Sequence, residues 1–142
     1  MNKTFATLLT ISTALALGSV AARADDDTLD PSKLPPASTK TGVTYATDIK
    51  PIFDASCIKC HGADKPKGKL NLTTLDGVLK GGKDGKEIVP GKIDKSPLVF
   101  DVAHVGDDDT DFMPPPEKKS KVAPLTKDQV GLIRAWVEQG AK

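Results

Sequence analysis

The chain holds only two cysteines. They stand three positions apart, and a histidine directly follows the second: Cys57-Ile58-Lys59-Cys60-His61. No other feature limits the fold as much. Placed on a helical turn, positions 57, 60 and 61 share one face. Each thiol can then add to one of the two vinyl groups of a single porphyrin, while the imidazole donates a nitrogen to its iron. The motif is the attachment signature of a c-type haem, with Cys57 and Cys60 as covalent anchors and His61 as the proximal iron ligand. Three other readings of the same residues are weaker. A Cys57–Cys60 disulfide would close a very small loop and constrain little. A thioredoxin-like redox pair needs a βαβ surround, which the sequence does not offer. A zinc site would take Cys57, Cys60, His61 and His104 as its whole ligand supply, without a second paired knuckle.

Residues 1–24 have the form of an export signal. Lys3 gives a basic start, residues 4–22 carry no charge, and Ala22-Arg23-Ala24 offers the small-x-small cleavage pattern. The many threonines and serines make this segment weakly apolar for a spanning helix, so the expectation is cleavage with no stable membrane insertion. A periplasmic or otherwise exported location follows, which suits c-type haem. With both cysteines committed to haem, no disulfide is expected. Of 142 residues, 118 remain after cleavage. Lys3 and Arg23 leave with the signal, so 18 of the 20 basic side chains face all 19 acidic ones, a net charge of −1. That balance argues against a nucleic-acid partner. Aromatic residues are few: Tyr45, Trp136 and four phenylalanines. A covalently held porphyrin would supply the apolar surface that such a small domain otherwise lacks.

Residues 25–42 are acidic and then rich in proline, serine and threonine, and read as a flexible leader. The folded domain is expected over residues 43–142. A helix should start at Thr47 or Asp48, with Pro51 in its first turn and Ile49, Ile52 and Phe53 on one face, leading into the cysteine motif and stopping at Gly62. One or two helical turns are expected over residues 74–80, closed by Gly81-Gly82. The turn Ile88-Val89-Pro90-Gly91 is expected against the porphyrin, and the carbonyl of Pro66 or Pro90 is a candidate partner for the second ring nitrogen of His61. Ser96-Pro97 should cap a short helix that ends at Gly106. The acidic run at residues 107–111 does not match the spacing of a calcium loop and reads as solvated. The last helix has the clearest signals: Thr126 and Gln129 form a capping box, Val130, Ile133, Trp136 and Val137 share a face, and Gly140 ends it. The fold class is all-α, with three to five short helices around one covalently attached haem.

Whether the sixth iron position is filled decides the function. Beyond Met1, the chain has one methionine, Met113, 52 residues after His61 and followed by Pro114-Pro115-Pro116. Prolines hold an extended segment with little freedom, as a weak thioether ligand requires. His104 is the rival. Met113 is preferred as the distal ligand, because His–Met ligation suits electron-carrying cytochromes. With both axial sites filled, no small-molecule substrate reaches the iron, and the chain reads as an electron carrier rather than an enzyme. The alternative is a haem peroxidase or small-ligand sensor with a labile sixth site.

From about residue 43 to 142 the chain resembles the small c-type cytochrome domain of planctomycetes and verrucomicrobia, a relative of class I cytochrome c. The resemblance rests on Asp48-Ile49-Lys50-Pro51-Ile52, Cys57 to Gly62, Gly68-Lys69-Leu70-Asn71-Leu72, Gly81-Gly82, Ile88-Val89-Pro90-Gly91, Ser96-Pro97-Leu98, Met113-Pro114-Pro115, Leu125-Thr126, Trp136 and Gly140-Ala141. It implies a mostly helical fold whose N- and C-terminal helices cross beside the haem, with Phe53 and Trp136 as contacts and Met113 as distal ligand. Redox proteins are the expected partners. Lys59, Lys65, Lys67 and Lys69 cluster near the attachment motif and either form a docking rim for an acidic one or simply solubilise the loop.

Overall fold

Thr44 opens the first helical run. Its backbone is extended, its hydroxyl accepts from the Thr47 N–H, and its own N–H donates to the Asp48 carboxylate at 3.0 Å. This reciprocal cap starts the helix earlier than Thr47 or Asp48, because Asp48 acts from inside the first turn. The computed structural model describes residues 29–116 and 120–142. The expected export signal lies outside the described residues. A single π-helical turn, Tyr45–Ile49, runs into α1 (Lys50–Ser56). Pro51 falls in the first turn of α1, where its fixed φ suits the helix. Ile49, Ile52 and Phe53 are buried, as their spacing predicts.

The chain breaks helical geometry at Cys57 (φ −121°) and resumes as α2 (Ile58–His61). Gly62 ends α2 for a reason other than a left-handed cap. Its φ is −78°, but a Cβ there would lie 2.7 Å from the Ile58 carbonyl oxygen. Three further helices follow: α3 (Leu75–Lys80), α4 (Pro97–Ala103) and α5 (Lys127–Glu138). Short 3-10 turns occupy Pro31–Lys33, Lys67–Lys69 and Ile93–Lys95. Among the described residues there is no strand, only a bridge between Gly82 and Gly85. The architecture is all-α.

Helix α5 carries the predicted capping box, with Thr126 and Gln129 exchanging bonds of 3.2 and 2.9 Å. Its apolar face, Val130, Ile133, Trp136 and Val137, is buried. Tyr45 joins the two ends of the domain, its ring 6.1 Å from Trp136 and 6.3 Å from Phe53. Such aromatic pairs add about 0.5–1.5 kcal/mol each beyond area burial. Helix α4 departs from expectation at both ends. The Ser96 hydroxyl does not cap it; fully buried, it accepts from the Val89 N–H at 3.0 Å and donates to the Lys92 carbonyl at 2.7 Å, tying up the preceding loop. At the other end His104 turns left-handed (φ 54°), so the helix stops at Ala103 rather than at Gly106.

Composition alone makes residues 25–42 a flexible leader, but residues 29–42 lie along α5 as a strap. Leu34 is buried. The Arg134 guanidinium donates to the carbonyls of Pro31 (3.3 Å) and Pro35 (3.1 Å), and the Gln139 amide donates to the Lys40 carbonyl at 2.8 Å. Ser38 N–H donates to the Gly131 carbonyl at 2.9 Å. The strap passes so close that a Cβ on Gly131 would lie 2.6 Å from the Pro36 oxygen. Backbone carbonyls supply most of this attachment, so low apolar content does not prevent it.

Candidate haem site

The helical break at Cys57 organises one wall of the site. The N–H groups of Cys60 and His61 both donate to the Cys57 carbonyl, at 3.0 and 2.9 Å, while the Cys57 N–H is held by Phe53 at 2.8 Å. Cys57, Cys60 and His61 thereby line a single cavity of about 540 Å³, within the roughly 300–1,000 Å³ of small-molecule and cofactor sites. Both cysteines are free. Cys60 is exposed at this wall, whereas Cys57 is partly buried, and burial followed by the neighbouring Cys60 pushes its thiol pKa up to about 12. No βαβ unit surrounds the pair among the described residues. Nor do three or more metal-ligating His, Cys, Asp or Glu side chains cluster among them, so the four-ligand zinc set is not assembled.

His61 is oriented from the segment that follows. The 3-10 turn at Lys67–Lys69, with Gly68 left-handed at φ 60°, brings Leu70 and Leu72 back across α2. Leu72 N–H donates to the His61 carbonyl at 2.8 Å, and the His61 Nδ1 lies 3.3 Å from the Leu70 carbonyl oxygen. An Nδ1–H directed at that carbonyl leaves Nε2 with a free lone pair, the tautomer that ligates a metal. The orienting carbonyl therefore belongs to Leu70, not to Pro66 or Pro90. Burial pushes the imidazole pKa down, partly offset by bonds to the Leu70 and Lys67 backbone, which favours the neutral ligating form. Tyr45 secures the arrangement from behind, its hydroxyl donating to the Leu72 carbonyl at 2.8 Å.

Met113 also lines this cavity, together with Pro114 and Pro115. Its N–H donates to the Asp101 carbonyl at 3.0 Å, so the methionine segment is pinned to α4. His104, the rival ligand, does not line the cavity. Its ring stacks on Phe112 with centroids 4.9 Å apart, and its Nε2 lies 3.0 Å from the Pro114 carbonyl oxygen. Apolar lining comes from Phe53, Leu70, Leu72, Leu98 and Val102. Two expectations about the lining change. The turn at residues 88–91 is outside it: Ile88 is buried in the core, and Gly91 N–H donates to the Val137 carbonyl at 2.8 Å. Trp136 packs on Tyr45, and only Phe53 of the aromatic pair reaches the cavity.

The wall also holds carboxylates, which the sequence motifs do not announce. Glu87, Asp101 and Asp111 all line the cavity. Burial, followed by the charges of Glu87 and Asp111, pushes the Asp101 carboxyl up to about 7. Burial also raises Glu87, with Asp84 and Asp111 adding to the effect. A signal existed: Leu98, Asp101, Val102 and Val105 share helical spacing, so Asp101 interrupts an apolar stripe. Lys59 and Lys67 line the same cavity and are exposed.

Two free thiols one turn apart, an oriented neutral imidazole, an apolar interior and a thioether on the same cavity form a donor set that fits haem c. No curated protein and no solved structure matches the chain. A family model described as Planctomycete cytochrome C matches residues 57–117, a span that runs from the first cysteine past the Met113 segment. A domain of this kind implies a covalently held haem. That match, on a chain whose described residues form helices and no strand, supports a planctomycete-type cytochrome c domain over residues 57–117.

Proposed function

We propose that the protein is an exported electron carrier with a single haem, held through Cys57 and Cys60, with His61 and Met113 as the two axial ligands. One observation carries the reading: both thiols, the oriented imidazole and the only methionine beyond Met1 line the same cavity. The haem supplies a one-electron iron couple, and the chain's own residues determine how it is used. His61 is held as a neutral donor by the Leu70 carbonyl. Met113 is held by the α4 backbone and by the prolines that follow it. A neutral, soft thioether favours ferrous iron, so the reduction potential should be comparatively high. Two filled axial positions exclude substrate from the metal, which favours electron transfer over catalysis. Export rests on the form of residues 1–24; among the described residues no helix is long and apolar enough to cross a membrane. The exposed Lys59, Lys65, Lys67 and Lys69 suit an acidic redox partner.

Carbon monoxide tests the proposal. The unmutated ferrous protein at neutral pH should bind it slowly or not at all, and Met113→Ala should bind it readily and show a lower potential. Rapid binding by the unmutated protein would instead identify an open or labile site, as in a peroxidase or gas sensor.

A further inference from the structure

We propose that His104 is a positioning residue that holds Met113 against the cavity. The inference rests on the reading of Met113 as the distal ligand. One imidazole grips the chain on both sides of that methionine. Its face stacks on Phe112, 4.9 Å between centroids and 12° between planes, and its Nε2 lies 3.0 Å from the Pro114 carbonyl oxygen. The Nε2-protonated ring donates that bond. The backbones are joined as well. The Asp101 carbonyl accepts from both the His104 N–H (3.2 Å) and the Met113 N–H (3.0 Å), so the brace and the residue it braces hang from one oxygen at the end of α4. The left-handed backbone at His104 (φ 54°) turns the ring back over the loop. Glycine is the residue this conformation favours, so ending the helix does not by itself call for a histidine; gripping residues 112 and 114 does. His104 does not line the cavity, which separates its role from that of a ligand. What it controls is the fraction of time the thioether stands away from the iron, and an exogenous ligand can enter only in that fraction.

The experiment uses the haem-loaded full chain, with cyanide binding to the ferric form and the midpoint potential as readouts. His104→Ala removes both grips, His104→Gln keeps a donor without the stack, and His104→Phe keeps the stack without a donor. Losing one hydrogen bond and one ring contact should raise the open fraction, and with it the cyanide binding rate, by roughly threefold to tenfold in His104→Ala. The potential should fall, and His104→Gln and His104→Phe should lie between. If His104→Ala does not retain haem, the other two decide. Cyanide rates and potentials equal to those of the unmutated protein across the folded variants would overturn the brace. Met113→Ala separates the two failures. If it leaves spectrum and potential unchanged, the ligand reading fails. If it changes both while the His104 variants change neither, only the brace fails.

Discussion

Asp101 stands between Leu98 and Val102 on α4, and its carboxyl lines the cavity beside Glu87 and Asp111. Burial and these two negative neighbours lift it from an ordinary 3.8 to about 7. Its effect on stability has a definite sign. The folded state holds the proton more tightly than the unfolded chain, so stability from this group is complete below about pH 4 and is lost as pH rises through about 7. Asp101→Asn removes the titration. Its denaturant midpoint should change less than that of the unmutated protein between pH 5 and 8, and the variant should be the more stable of the two at pH 8. Equal slopes for the two proteins would show that Asp101 is not the group responsible. The Asp101 main-chain carbonyl, which holds Met113 and His104, is untouched by this substitution.

At the level of elements, the strap on α5 is the clearest departure from a composition-based reading. Gly131 sits where the Pro36 oxygen passes, and a Cβ there would come within 2.6 Å of it. Alanine favours a helix interior over glycine by about 1 kcal/mol, whereas forcing a methyl into a packed backbone contact costs about 1–3 kcal/mol. The steric cost should win at the strap and leave α5 intact. In Gly131→Ala the Ser38 amide, bonded to the Gly131 carbonyl, should exchange hydrogen much faster, while amides in the middle of α5 keep their protection. Unchanged exchange at Ser38 would show that the strap yields without detaching. The strap leaves no mark in the sequence for a physical reason. Sequence patterns register apolar faces, caps and covalent chemistry, all of which depend on residue type. They therefore located α1, α3, α5 and the apolar faces that bury. Cys57, Cys60, His61 and Met113 stand out as candidates for the same reason, because their chemistry resides in the side chain, and the fold brings all four to one cavity. Main-chain groups leave no such mark, so the Leu70 carbonyl beside His61 and the proline carbonyls under Arg134 could not be read. His104 was legible as a residue able to bind iron, but not as one placed outside the cavity, because its left-handed backbone is settled by packing.

The whole molecule is uneven in charge around its cavity. Exposed Lys59 and Lys67 line it, with Lys65 and Lys69 in the same loop, and Glu87, Asp101 and Asp111 belong to the lining too. If, as proposed, an acidic redox partner docks over the lysines, its electron-transfer rate should fall as ionic strength rises from about 10 to 150 mM, over which the screening length shrinks from about 30 to 8 Å. Lys67→Glu combined with Lys69→Glu should slow that reaction at low salt and leave the midpoint potential unchanged. A salt-independent rate would place docking elsewhere.

The contacts that close the domain join distant parts of the chain. Arg134 holds Pro31 across 103 residues, and Tyr45 N–H meets the Lys142 carbonyl at 2.7 Å. These bonds cannot form until the last dozen residues have been synthesised, long after Cys57 and Cys60 have emerged. Order of assembly is thus written into the topology: the Cys57 and Cys60 thiols, the proposed haem anchors, appear on a chain that has no α5 to pack against. A chain stopped before Thr126 should accept haem at both cysteines yet be digested quickly by protease, whereas the full chain resists. A truncated chain that fails to take haem would show that attachment waits for closure.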